Sequence, residues 1–372
     1  MKITDVRSYP LTTSTPAGSG TSQPNRSHIS IIVVRLETDD GLLGWGEGLA
    51  RHSPQAHAAI VDNLFKPILL GQDPFEVERL WQEMYRVYTG KSGGVCIEAM
   101  AGVDLALWDL MGKALRQPVH RLLGSSGRTH VDTYGGSISW TPDDSLAERQ
   151  TLARLKEGFK ALKIKIGAPV KAALARANLV RKVAGPDIKI MADANWIFDV
   201  DDAIQVAKGL LELDYFWFEE PIVPEDIVGY RLINSAVPIR LAAGESEFTA
   251  QGARELLADR SVGVMMPDCA RSGGISETRK IALLAHAFHV SYATHVGGSG
   301  MLCQAASLHL AAAMPNFLIH ECVAFPNPLR LDLTVEIVGE GSMLVNGKLP
   351  VPQGPGLGVE INSEALEHYL VR

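Results

Sequence analysis

Seven apolar runs in this chain each stop at an ionisable residue. They are Leu162-Lys163-Ile164-Lys165, Ile190-Met191-Ala192-Asp193, Phe216-Trp217-Phe218-Glu219, Ala242-Ala243-Gly244-Glu245, Met265-Met266-Pro267-Asp268, Tyr292-Ala293-Thr294-His295 and Leu318-Ile319-His320-Glu321. A single Asp at a strand end is usually a helix cap or a solvated loop residue. Seven such endings in succession imply one shared face. In a closed ring of parallel strands, the C-terminal ends form the face that carries catalysis.

On such a ring, Asp193, Glu219 and Glu245 end the third, fourth and fifth strands and are neighbours. Three carboxylates on one arc make an oxygen-only site for a hard divalent cation, with Mg2+ the natural candidate. Without an ion or a proton they would raise one another's pKa values. Glu220 follows Glu219 directly, so alternation along the strand sends only one of the pair inward. Glu219 is assigned to the metal and Glu220 to its support. Asn195 reads equally as a site residue or as a turn residue.

Lys163 and Lys165 share one side of strand two. Two ammonium groups so close should depress each other's pKa, which would tune a lysine as a base near neutral pH. His295 and Asp268 end adjacent strands, an arrangement that orients an imidazole and stabilises its cation. Strand seven lies nearly across the ring from strand two, so a bound substrate would have Lys165 on one face and His295 on the other. Glu321 is expected to hydrogen-bond the charge that develops on an enediolate, provided it is protonated. His320 should face outward, and it, His57, His286 and His309 read as structural.

The elements that must position these residues begin near Arg128. Strand-length runs alternate with helical patterns at intervals of about 25 to 30 residues, with strands ending near Gly135, Lys165, Asp193, Glu219, Glu245, Asp268, His295 and Glu321. Eight units suit a (β/α) barrel over residues 126–324 better than an open sheet. Residues 1–125 read as an α+β domain. A hairpin runs from Ile29–Glu37 through Asp39-Asp40-Gly41 to Leu42–Glu47. Helices follow from Ser53-Pro54, from Asp73-Pro74 and over Val95–Leu115. Residues 325–372 hold a hairpin at Asn346-Gly347 and a last helix from about Ser363, and they should pack back on the first domain. The polar stretch Thr12–His28 is the candidate flap.

The 372 residues suit a barrel plus an accessory domain, and 46% hydrophobic with 21% charged content is that of a globular protein. A net charge of -7 with no basic block argues against nucleic acid. Cys96, Cys269, Cys303 and Cys322 form no CxxC pair and read as reduced thiols, which suits a cytoplasmic protein. The N-terminus lacks a signal peptide's apolar core. Met301–Met314 is one helix long and contains Gln304 and His309, so it reads as a core helix and no membrane span is expected.

Lys163-x-Lys165, Asp193-x-Asn195, Phe218-Glu219-Glu220-Pro221, Gly244-Glu245, Pro267-Asp268 and His295 together resemble the mandelate racemase subgroup of the enolase superfamily, over nearly the whole chain. The resemblance implies a (β/α)7β modified TIM barrel, an α/β fold, with an α+β capping domain. It implies Mg2+ on Asp193, Glu219 and Glu245, and Lys163 beside the substrate carboxylate. Lys165 and His295 become the acid/base pair, with Asp268 orienting His295. A Lys or His base acting beside Mg2+ is that superfamily's known chemistry. The chain looks most like sugar-acid dehydratases. Glu219–Glu225 and Pro355-Gly356-Leu357-Gly358 also resemble galactarolactone cycloisomerases.

The expected reaction is dehydration of an aldonate or aldarate to a 2-keto-3-deoxy acid. A cycloisomerase or a racemase/epimerase would share its first half, and a non-catalytic barrel is the contrasting class. Arg26, His28, Arg51, His52 and Lys91 fall in capping loops, where they would meet hydroxyls or a distal carboxylate, or serve only as surface. Trp196 and Phe325 read as pocket walls or as core. The partner expected is a small carboxylate substrate, and the family likeness implies a homo-oligomer.

Overall fold

The computed structural model describes residues 1–14, 28–87, 93–141, 143–323 and 325–371. The chain opens with an antiparallel sheet, β1 (Ile3–Ser14), β2 (His28–Thr38) and β3 (Leu43–Leu49), in the order β1-β2-β3. The hairpin β2–β3 follows the sequence pattern. β1 does not announce itself, because Pro10 and several polar residues interrupt its alternation, as edge strands tolerate.

Helices α1 (Pro54–Ile60), α2 (Lys66–Leu69), α3 (Val77–Tyr85), α4 (Val95–Leu115) and α5 (Val119–Leu122) come next, with a π-helical turn at Val61–Phe65. Asp73-Pro74 does not start a helix. Asp73 accepts a bond from the Phe75 N–H at 3.0 Å, closing a turn, and α3 begins only at Val77.

Helix α4 lies directly on the sheet because β3 reads Gly44-Trp45-Gly46-Glu47-Gly48. A Cβ on Gly44, Gly46 or Gly48 would come within 2.4, 2.0 and 2.2 Å of the carbonyl oxygens of Ala106, Gly102 and Glu98. Alternation then sends Trp45, Glu47 and Leu49 to the opposite face, toward the barrel. Leu49 donates its backbone N–H to the Ala270 carbonyl there at 2.8 Å.

The barrel strands are β4 (His130–Ile138), β5 (Ala161–Lys165), β6 (Lys189–Asp193), β7 (Trp217–Glu219), β8 (Leu241–Ala243), β9 (Val264–Met265), β10 (Ser291–Ala293) and β11 (Phe317–Val323). Between them run α6 (Asp144–Glu157), α7 (Val170–Ala184), α8 (Val200–Glu212), α9 (Ile227–Ala236), α10 (Thr249–Ala258), α11 (Gly274–Ala287) and α12 (Met301–Ala313). Neighbours pair in parallel, and β11 pairs with β4 to close the ring. This is the expected (β/α)7β barrel. Helix α12 is buried along its whole length, as a core helix should be. No helix among the described residues is long and apolar enough to cross a membrane.

The period-two alternation of the strands decides which side chains reach the barrel axis. Tyr134, Ala161, Met191, Trp217, Ala242, Val264, Met266, Ala293 and Ile319 fill the interior, while Leu162, Ile164, Ile190, Ala192 and Phe218 pack with the helix layer. Lys163 and Lys165 share the parity of Ala161, Asp193 that of Met191, Glu219 that of Trp217, and Glu321 that of Ile319. Beyond β8 the parity is reset by Gly244 at φ +128°, where a Cβ would meet Met265 Cε at 2.7 Å.

In the tail, α13 (Pro328–Leu331) and a 3-10 turn at Gly341–Met343 precede β12 (Lys348–Pro350) and α14 (Ser363–His368). Asn346 and Gly347 turn the chain with φ of 52° and 76°. The hairpin expected there is only one bridge long, Val345 to Lys348. Strand β12 pairs instead with the start of β4, Lys348 with Asp132 and Leu349 with Val131. Beyond it the tail reaches the first sheet, with bonds from Val371 N–H to the Pro10 carbonyl (2.8 Å) and from Thr12 N–H to the Tyr369 carbonyl (3.0 Å).

Candidate active site

The strand ends bring Lys163, Lys165, Asp193, Glu219, Glu245, Asp268, His295 and Glu321 together at the barrel mouth. Asp193, Glu219 and Glu245 each offer an oxygen within 4.8 Å of the others, and all three are buried. Asp193 Oδ1 also accepts the Asn195 backbone N–H at 2.9 Å, and Glu219 Oε2 accepts the Trp217 indole N–H at 3.0 Å. Burial drives the Glu219 carboxyl up to about 8, with Asp193 and Glu321 adding to the push against Lys163. A buried trio built only of oxygen donors, crowded within 4.8 Å, fits a hard divalent cation. Mg2+ is the ion the resemblance implies, and these residues suit it.

Lys163 Nζ lies 2.6 Å from Glu219 Oε1, 2.8 Å from Glu321 Oε1 and 3.5 Å from Asp193 Oδ2. Burial opposes its charge, but Glu219 and Glu321 outweigh that and hold its pKa well above the usual lysine value. The depression expected from a lysine pair is therefore not what this residue shows. Its neighbours are anions rather than Lys165, which bonds separately to Asp193 Oδ2.

His295 donates from Nδ1 to Asp268 Oδ2 at 2.8 Å, and its Nε2 is 3.0 Å from Glu245 Oε2 and 4.0 Å from Glu321 Oε2. Burial disfavours the imidazolium, yet Glu245 and Glu321 raise its pKa well above the ordinary value. Lys165 and His295 thus flank the carboxylate trio from its Asp193 and Glu245 ends. Glu321 departs from the expected protonated acid. Burial would raise it, but Lys163, His295 and the Val296 N–H (2.8 Å) keep it ionised.

Glu220 turns away from the mouth at φ +43°, accepting the Gly244 N–H at 3.0 Å and the Trp196 indole N–H. It braces the loops that carry Asn195 and Glu245. Trp196, at φ +64°, belongs to this brace. Phe325 packs on the main core. His320 faces outward into the helix layer, where its ring contacts Thr294 Oγ1 (2.9 Å) and Gln304 Nε2 (3.0 Å).

His28, Arg51 and His52 line a cavity of about 220 Å3 with Thr12, Ser30 and Gln55. The cavity meets the carboxylate trio through Arg51, whose guanidinium is 3.7 Å from Glu245 Oε1. Arg26 and Lys91 lie outside the described residues, as does most of the stretch read as a flap.

Three supports escaped the sequence reading. Arg271 donates from Nη1 to the Glu245 carbonyl at 3.1 Å, and its Nε is 3.2 Å from Glu98 Oε1, which ties the loop after β9 to helix α4. Glu47 accepts the N–H groups of Gly300 (2.6 Å) and Cys303 (3.1 Å) at the start of α12. Cys303 in turn places its thiol 3.6 Å from Asp268 Oδ1. For Glu47 a signal existed in the alternating glycines, which fix which face of β3 it occupies.

With this geometry in place, comparison with known proteins defines the class. Residues 5–124 match the mandelate racemase / muconate lactonizing enzyme N-terminal domain, and residues 146–365 match the enolase C-terminal domain-like family. The chain belongs to the mandelate racemase / muconate lactonizing enzyme family of the enolase superfamily. It is 35% identical to a D-galactarolactone cycloisomerase of Agrobacterium fabrum, covering 99% of each chain. It is 33% identical to an arabinonate dehydratase of Saccharolobus solfataricus, over 92% of this chain and 91% of the other. Among solved structures, a 3,6-anhydro-D-galactonate cycloisomerase from Zobellia galactanivorans superposes with a TM-score of 0.89 at 32% identity, covering all of both chains. An enolase superfamily member from a Polaromonas species gives 0.93 at 31% identity, over 100% of this chain and 98% of that one.

Proposed function

We propose that the protein abstracts the α-proton of a sugar acid at the barrel mouth, with Mg2+ bound, and dehydrates the acid to a 2-keto-3-deoxy product. The observation that carries this reading is the flanking of the buried trio by two different bases, Lys165 and His295. Mg2+, held by Asp193, Glu219 and Glu245, would supply positive charge for a substrate carboxylate as its α-carbon loses a proton. Lys163, kept cationic by its anionic neighbours, adds a second positive charge at the same place.

Lys165 or His295 can take the α-proton, according to which face of the substrate presents it, His295 only when its imidazole is neutral. In the dehydration Lys165 takes the α-proton, the C–H electron pair becomes the Cα=Cβ bond as the Cβ–O bond breaks, and the enol so formed takes a proton at Cβ to give the 2-keto-3-deoxy acid. His295, as the imidazolium that Asp268 and Glu245 favour, gives its proton to the β-hydroxyl, which leaves as water. Glu321 stays ionised and holds Lys163 and the Val296-Gly297 backbone in place.

The relatives named as cycloisomerases favour a second reading, in which the same proton abstraction opens or rearranges a lactone. Proton NMR in D2O of the Mg2+-loaded enzyme with aldonates, aldarates and aldarolactones separates the two. A 2-keto-3-deoxy product is expected. A rearranged lactone, or α-deuteration with every hydroxyl retained, would replace dehydration and keep the abstraction step. No exchange and no product with any acid would overturn both.

A further inference from the structure

Behind His295 runs a series of contacts that starts in the cap. Asp268, fully buried, accepts the His295 Nδ1–H through Oδ2 at 2.8 Å. Its Oδ1 accepts the Ala270 N–H at 2.9 Å and lies 3.6 Å from the Cys303 sulfur. The Ala270 bond is local and moves with Asp268. The thiol comes from another element, the first turn of α12, and so can hold the carboxylate against the rest of the barrel.

That thiol is set up to donate. It lies as far from Cys269 Sγ (3.6 Å) as from Asp268 Oδ1, but a carboxylate is the stronger acceptor. Burial, with Cys269, Asp268 and Glu47 adding to it, holds the Cys303 thiol well above the usual thiol pKa. It therefore keeps its proton, which removes it as a nucleophile and leaves it as a hydrogen-bond donor.

The turn that carries the thiol is fixed from the cap. Glu47 takes the N–H groups of Gly300 (2.6 Å) and Cys303 (3.1 Å). A Cβ on Gly300 would come within 2.9 Å of Glu47 Oε2 and 2.8 Å of the Leu329 carbonyl oxygen, so glycine permits the close approach.

We propose that Cys303 is a positioning residue: its thiol fixes the Asp268 carboxylate that aims His295, and Glu47 fixes the turn that carries the thiol. The effect on turnover rests on the reading that His295 gives its proton to the leaving hydroxyl; the placement of Asp268 does not.

The test begins on the Mg2+-loaded enzyme without substrate. The His295 Nδ1 proton faces Asp268 whether the ring is neutral or cationic. A proton held in such a charge-assisted bond gives a far-downfield proton NMR signal, assigned by its absence in His295→Asn. Cys303→Ala should shift that signal. Cys303→Ser, with a hydroxyl donor in place of the thiol, should return it part of the way, and Glu47→Gln should shift it in the same direction as Cys303→Ala. Cys303→Val, which fills the thiol's space without a donor, stands in if the alanine variant fails to fold. With a sugar acid as substrate, Cys303→Ala should lower kcat by roughly 3- to 10-fold, the worth of one hydrogen bond, at unchanged KM and Mg2+ affinity. Part of that loss should be recovered in Cys303→Ser.

A signal that stays in place in Cys303→Ala would overturn the proposal. So would a loss of turnover equal in Cys303→Ala and Cys303→Ser that comes with weakened Mg2+ binding, because Cys303 would then serve packing alone. A shifted signal in an enzyme that turns over no sugar acid sinks the chemistry and leaves the positioning role standing. Turnover of a sugar acid with both signal and kcat untouched in Cys303→Ala does the reverse.

Discussion

At the barrel mouth, the carboxylates of Asp193, Glu219, Glu245 and Glu321 face side-chain cations and one another. Along the seam between cap, barrel and tail, Glu47, Asp104 and Asp109 are buried just as completely but each takes backbone N–H groups from a distant element, Asp109 pairing with Lys113 as well at 3.0 Å. Glu47 takes those of Gly300 and Cys303, Asp104 Oδ2 takes that of Ser276 at 3.0 Å, and Asp109 takes those of Trp45 and Leu357 at 2.9 and 2.8 Å. Burial alone therefore does not separate a reactive carboxylate from a structural one. Their mutual placement does. The seam carboxylates stand apart and tie distant elements together through backbone N–H groups, whereas Asp193, Glu219 and Glu245 converge within 4.8 Å as an oxygen-only set that an ion can join.

The largest expected effect belongs to the mouth. Lys165→Met and His295→Asn should each lower kcat by roughly a thousandfold, the scale of a lost acid or base, with the fold intact by circular dichroism. If either variant keeps near-wild-type turnover, that side chain is not a proton carrier, and the mouth loses its contrast with the seam.

The next effect belongs to the seam and sharpens the comparison through pH. Burial, with Glu277 adding to it, raises Asp104 from 3.8 to about 7. A carboxyl whose folded pKa is raised binds its proton more tightly in the native state. Its contribution to stability is therefore full below about pH 4 and is lost as pH rises through about 7, a difference on the order of 4 kcal/mol. Urea unfolding of the wild type and Asp104→Asn across that range should show the dependence in the first and its loss in the second. Parallel pH profiles would mean that Asp104 is ionised and satisfied in the seam throughout.

The smallest effect tests the ion. Mg2+ at a hundred times its dissociation constant should stabilise the wild type by about 2.7 kcal/mol, read as a rise in melting temperature. Glu219→Gln should abolish the rise, and Glu47→Gln should leave it in place. An equal response in both variants would erase the distinction drawn between the two groups of carboxylates.

The mouth was legible in the sequence because strand geometry is local. Alternation puts Lys163 and Lys165 on one side within three residues, and repeated strand endings bring distant residues to one face without knowledge of any contact. The seam was not legible, since Glu47 meets Gly300 across 253 residues, Asp104 meets Ser276 across 172 and Asp109 meets Leu357 across 248. No periodicity encodes such pairings. The same limit explains the misread charge states at the mouth. Lys163 was weighed against its sequence neighbour Lys165, while its actual partners, Glu219 and Glu321, arrive from other strands. Strand β1 was missed for a different reason: an edge strand with a proline carries a weak alternation signal.

Gly44, Gly46 and Gly48 let helix α4 rest on the first sheet, and Glu47, between two of them, reaches out of the cap to hold the start of α12. From there Cys303 touches Asp268, the partner of His295. Anyone grafting a foreign cap onto this barrel would exchange Glu47's reach along with the cap's loops. Under the proposed function, the cap and the setting of His295 are thus not separable cassettes in this protein. A successful chimera would have to carry the glycine-spaced strand across with its register unchanged.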